Sequence, residues 1–189
     1  AHDFKLQFYF IKEVCMKLLK TTIFTTMMLL VVVGCSTPSL ITTEKSLPAV
    51  YVETNSTHDK KNDVTITLFR LNNYTDTPRA GMRTANIIEG ILLAKGYHVT
   101  SHIQDKLPTL KKARKIAQED DSTYFMYGGV SEWRYKTGID GEPAVSFQCS
   151  LYKTKNSKLV WSATGSDSDW GNASIGTTAQ DLLYEMMSN

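Results

Sequence analysis

Three sets of residues in this sequence have the types and spacing to do chemistry, and the first is a single thiol. Cys35 closes the run Met16–Cys35, in which Lys17 and Lys20 precede the apolar stretch Ile23–Val33 and Gly34 stands directly before the cysteine. That order reads as a secretory signal ending in a lipobox, so Cys35 is expected to be acylated and to begin the mature chain. Each buried methylene of an acyl chain contributes about 0.8 kcal/mol, and several chains hold a domain at a bilayer. The apolar run is too short for a spanning helix, which needs roughly 20 apolar residues. Ser36, where Asp would divert sorting, resembles an outer-membrane signal. Residues 1–15 are set aside as upstream of the signal, with Met16 the expected start.

The second set is acidic. Asp140 and Glu142 lie in the segment Thr137–Pro143 (TGIDGEP), where glycines permit a tight exposed turn from which both carboxylates project. One such pair attracts a polycation weakly, whereas copies repeated around an axis focus the field. Asp167 and Asp169, taken with Asp140 and Glu142, are nominal pairs for glycoside hydrolysis, but any chain of this size offers such pairs. Glu119, Asp120 and Asp121 close a helix at its unfavourable end for acids and are expected in a solvated loop.

The third set is aromatic and cationic. Trp170 stands in the polar segment Ser166–Asn172; an indole there suits the headgroup layer of a membrane, or folds back over the core. Arg134, beside Trp133, is a candidate to pair with an acid of the same or a neighbouring subunit. His98 and His102 are spaced as on a helix but fall in a strand with no third ligand, so no metal site is expected. The chain has no nucleophile elbow, Cys–His arrangement or phosphate-binding glycine loop. No catalytic residue, cofactor or enzymatic activity is therefore expected.

Removing residues 1–34 takes four of the 21 basic and two of the 19 acidic side chains, leaving 17 of each. A neutral chain gives no overall electrostatic case for nucleic acid. Cys15 lies upstream and Cys35 is the acylation site, so Cys149 has no disulfide partner and is expected as a small buried hydrophobe.

The elements that must position these groups begin after residue 62. Residues 1–34 are upstream sequence and signal, 35–62 the lipidated cysteine and a Ser/Thr/Asn/Lys-rich tether with room for one short strand at Ala49–Val52, and 63–189 one domain. Val64–Phe69 alternates as a strand. Thr77 and Pro78 read as cap and first position of a helix that runs through Ala85, Ile88, Ile91 and Leu92 to Gly96. Tyr97–Ile103 is a second strand, and Pro108 opens a helix through Leu110, Ala113, Ile116 and Ala117. Strands at 124–135, 144–153 and 158–167 follow, the last two joined by a turn at Thr154–Ser157. A final helix over 174–187 buries Ala179, Leu182, Leu183 and Met186. The order β-α-β-α-β-β-β-α argues an α+β fold, a mixed sheet with helices packed on it.

Gly128–Val145 (GGVSEWRYKTGIDGEPAV), Leu159–Gly165 and Asp169-Trp170 resemble the PelC family of outer-membrane lipoproteins. More loosely, the element order is similar to curli-secretion lipoproteins, TolB amino-terminal domains and penicillin-binding-protein activators. The PelC resemblance implies a non-enzymatic part of the machinery that exports Pel, a cationic amino-sugar polysaccharide of biofilms. It implies a dodecameric ring on the periplasmic face of the outer membrane, beneath the β-barrel of PelB, with an acidic funnel in which Asp140 and Glu142 would stand and Trp170 against the bilayer. The looser likeness leaves a second reading, an activator of a peptidoglycan synthase. A tether of 36–62 would extend at most roughly 90 Å, which is marginal for crossing to the inner membrane.

Overall fold

In the computed structural model, residues 40–43, 47–48, 64–137, 141–169 and 173–188 are described. Cys35, the 49–52 stretch, Asp140 and Trp170 lie outside them. The strands are β1 (Leu40–Thr43), β2 (Thr65–Phe69), β3 (Asn72–Asn73), β4 (His98–His102), β5 (Tyr124–Tyr135), β6 (Pro143–Lys153) and β7 (Leu159–Ser168). The helices are α1 (Ala80–Ala94), α2 (Leu110–Glu119) and α3 (Ile175–Met186). The α+β order expected from the sequence is present, with β1 and the two-residue β3 added.

The sheet order is β1-β7-β6-β5-β2-β4, with β3 beside β5. β2 is parallel to β4 and β5, β3 is parallel to β5, β5-β6-β7 form an antiparallel meander, and β1 adds to β7 antiparallel. The chain moves from β2 outward to β4 through α1, then back across β2 to β5 through α2. Right-handed crossovers in opposite directions put the two helices on opposite faces. The side chains agree with that placement: Ile66, Leu68, Met126, Phe147 and Leu151 share one core with α1 and α3, while Phe69 and Phe125 meet Ala113 and Ala117 of α2. Strand alternation separates Ile66 and Leu68 from Thr67 and Phe69. Fully burying Ile88, Leu92 and Leu182 contributes about 1.5–3 kcal/mol each.

Three local expectations are corrected. The first helix begins at Ala80, not at Pro78; its cap residue Arg79 has φ +61° and makes no side-chain cap bond. The Thr77 hydroxyl donates instead to the Trp133 carbonyl at 2.6 Å, so tertiary bonding claimed the side chain read as a cap. The second helix begins at Leu110, capped by the Thr109 hydroxyl, not at Pro108. Asp120, read as solvated, is mostly buried and tied to His102 and Thr67.

Four residues of the segment read as tether join the sheet. β1 runs antiparallel to β7, with Leu40 opposite Ser166 and Thr43 opposite Ala163. Further on, the Tyr97 hydroxyl donates to the Pro48 carbonyl at 2.5 Å, and Leu47 packs on the α1/α3 core.

Candidate functional site

The β5–β6 and β7–α3 connections leave the same end of the sheet. Tyr135 pairs with Pro143 and Ala144 with Ser168, so the strands bring the Lys136–Glu142 loop beside Asp169. The Asp169 N–H donates to the Pro143 carbonyl at 3.3 Å, and the Ile175 N–H donates to the Tyr135 hydroxyl at 3.2 Å, which fixes the start of α3 to β5. The Ser174 hydroxyl caps α3 by accepting from the Thr177 N–H at 3.1 Å.

Within the first loop the Lys136 N–H donates to the Glu142 carbonyl at 2.6 Å. Its ammonium stands 3.6 Å from the Glu142 carboxylate, whose side chain is 13% exposed. Gly141 has φ +55°, a left-handed conformation that favours glycine, so the loop turns where the sequence put a flexible residue. Arg134 is exposed, and its Nε donates to Glu132 of the same strand at 2.9 Å.

Four carboxylates gather beside this loop. Burial raises the Asp167 carboxyl above its ordinary range; a backbone hydrogen bond from Ser168 opposes that, and the charges of Asp169, Glu185 and Asp181 raise it further. Asp167 and Asp169 come from β7 and its end, Asp181 and Glu185 from one face of α3. Sequence reasoning named the first two only as unspecific pairs and missed the other two. The available signal was their i,i+4 spacing, a like-charge pair that costs an isolated helix about 0.2–0.5 kcal/mol. The start of β1 lies toward this same end, opposite Ser166.

A second polar cluster ties α2 to the parallel strands. His102 Nδ1 lies 2.8 Å from Asp105, and its Nε2 lies 3.1 Å from Asp120. The Thr67 hydroxyl donates to Asp120 at 2.8 Å and lies 2.8 Å from the Ser122 hydroxyl. The ring lies 5.6 Å from Phe69. Partial burial works against charge on His102, but the hydrogen bond to Asp105 and the Asp120 carboxylate outweigh it and hold its pKa above 6.5. Among the described residues no three His, Cys, Asp or Glu side chains converge as metal ligands. Cys149 is free and buried, which pushes its thiol up to about 12 and leaves it inert at neutral pH.

No family model and no curated protein matches the chain. Solved structures do. The PelC dodecamer from Paraburkholderia phytofirmans is 30% identical, with a TM-score of 0.66 over 80% of this chain and 96% of that one. A variant of the same protein gives 29% identity and a TM-score of 0.65 over the same shares. The lipoprotein GNA1162 from Neisseria meningitidis, 17% identical with a TM-score of 0.52 over 67% of this chain and 99% of that one, shares the fold.

Proposed function

The chain belongs to the PelC family, and on that premise we propose that it is a lipid-anchored, non-enzymatic subunit of an exopolysaccharide export apparatus at the outer membrane. Copies assemble into a ring; the solved relative is a dodecamer. The acidic end of the ring guides a cationic amino-sugar polymer to a β-barrel porin of the PelB kind. One observation carries this reading: Asp167, at the end of the sheet from which the Asp140 and Trp170 loops also leave, is partly buried and within reach of the charges of Asp169, Glu185 and Asp181. Repeated around an axis with low-dielectric walls, such a cluster concentrates cations.

The strand β1 favours this reading over a peptidoglycan-synthase activator. With Leu40 paired to Ser166, four residues separate Cys35 from the sheet, and that link reaches at most about 17 Å. The acidic end is then held close to the bilayer, where Trp170 would meet the headgroups. An activator that crosses the periplasm needs the whole of 36–62 as free tether.

The test is polymer in the medium and in the periplasm of a strain lacking this protein, complemented with wild type, Cys35→Ser or Asp140→Ala. Secretion restored by wild type and by neither variant, with both variants folded, supports anchor and funnel. Unchanged secretion with a cell-wall defect overturns the export reading.

A further inference from the structure

The end of the sheet opposite the carboxylates is basic. Lys111, Lys112 and Lys115 project from α2, and Lys153, Lys155 and Lys158 surround the β6–β7 turn; all six are exposed. Arg114 joins the two elements: its Nε donates to the Thr154 carbonyl at 3.0 Å and its Nη2 to the Lys155 carbonyl. A groove along α2 and a second groove beside the turn meet at Gln118. Lys115 lies 3.8 Å from Glu119, and Asp121 lines the second groove; among the described residues the other five lysines have no ion-pair partner. Six lysines gather at this end beside Glu119 and Asp121, and Asp167 and Asp169 stand at the other end of β5 and β6, about 37 Å away at 3.2–3.4 Å per residue.

Two exposed leucines stand in this basic surface. Leu110, at the start of α2, is 39% exposed, and Leu159, opposite Tyr152 on β7, is 47% exposed. Directly opposed residues share a face, and Tyr152 packs in the α2 cluster, so Leu159 lies on the α2 side. The two leucines offer a partner apolar area to bury, and the lysines, on a backbone fixed by Arg114, offer charge for it to complement.

We propose that α2 and the β6–β7 turn form a docking surface for an acidic face of another protein. The anchoring bilayer is a poor occupant. If Cys35 is the anchor, as argued above, that membrane lies at the other end of the sheet, several Debye lengths away. A second copy in the same membrane-bound ring is also poorly placed, because its acidic end faces the same bilayer. The occupant therefore approaches from the side away from the membrane, and its charge complements the lysines.

The experiment is photocrosslinking in cells that carry the full chain with Leu159→p-benzoylphenylalanine, a position that leaves every lysine in place. The expected result is an adduct with another polypeptide whose mapped peptide is net acidic. Its yield falls at least about tenfold with Lys111→Glu plus Lys115→Glu and returns when the acids of the mapped peptide are changed to Lys. If that double variant fails to fold, Lys153→Glu plus Lys155→Glu replaces it. No adduct, an adduct only to lipid, to nucleic acid or to this chain itself, or a polypeptide adduct indifferent to charge reversal overturns the proposal. Polymer secretion measured in the same strains reads the export function separately, so failure of one is distinguishable from failure of the other.

Discussion

The ammonium of Lys136 stands 3.6 Å from the carboxylate of Glu142 across the base of the β5–β6 loop. Glu142 is thus compensated within its own chain and adds little to the field that a cation meets. Glu142→Gln removes a charge that Lys136 already balances and should change polymer secretion by less than about twofold. Lys136→Ala exposes the same carboxylate without a counter-charge and should tighten binding of chitosan oligomers to the purified lipoprotein. Weaker binding in Lys136→Ala would show that the lysine itself contacts polymer.

The His102 cluster makes stability depend on pH. Its pKa in the folded protein lies above 6.5, so the charged ring is preferred by the native state. That contribution is complete below the unfolded value and is lost as pH rises through the folded one. The difference in Tm between wild type and His102→Gln should therefore shrink between about pH 6 and pH 8. A constant difference across that range would mean the ring acts by packing on Phe69 alone. Asp167 has the same sign in a lower window: burial first, and then the charges of Asp169, Glu185 and Asp181, raise its carboxyl, so protonation favours the fold. Asp167→Asn should consequently give a small rise in Tm at neutral pH and weaken the gain in Tm on adding a polycation.

Two glycines nine residues apart in α1 should respond oppositely to the same change. A Cβ on Gly81 would fall 2.1 Å from the Leu71 carbonyl oxygen, at the point where the Leu71 N–H donates to Gly81. Gly81→Ala must push the helix off the sheet and should cost about 3 kcal/mol or more, seen as a lost or lowered urea midpoint. A Cβ on Gly90 would meet nothing within 4 Å. Gly90→Ala should stabilise the subunit by about 0.5–1 kcal/mol, the ordinary helix preference.

Elements whose pattern is local were legible before the fold was known. α3 buries Ala179, Leu182, Leu183 and Met186, the residues its periodicity nominates. The meander follows from alternation, as in Val145, Phe147, Cys149 and Leu151. What stayed hidden depends on distant partners. Leu40–Thr43 becomes a strand because β7 offers an edge, and nothing within four residues of a Ser/Thr-rich stretch announces that. Thr77 has the type and position of a cap, yet the Trp133 carbonyl takes its hydroxyl. The candidate site divides the same way. The Asp140–Glu142 loop was visible through its glycines, whereas Asp181 and Glu185 join Asp167 only once α3 folds onto β7.

The short link from Cys35 to β1 yields the prediction on which the two functional readings differ most. If Cys35 carries the anchor, the four residues before β1 hold the acidic end within about 17 Å of it, and the anchor would also set height and orientation. Twenty Gly/Ser residues inserted after Ser36 would raise the root-mean-square span by about 25 Å while leaving β1 and its pairing with β7 intact. If the ring must sit beneath a porin, secretion should fall although lipidation, expression and Tm stay at wild-type values. A subunit that works by reaching away from its membrane should tolerate or gain from the same insertion. Breaking β1 separates the remaining possibility: Ile41→Pro removes a backbone donor and frees 36–46 ahead of the Leu47 and Pro48 contacts, and it should reproduce the insertion's loss of secretion if seating against the bilayer is what matters.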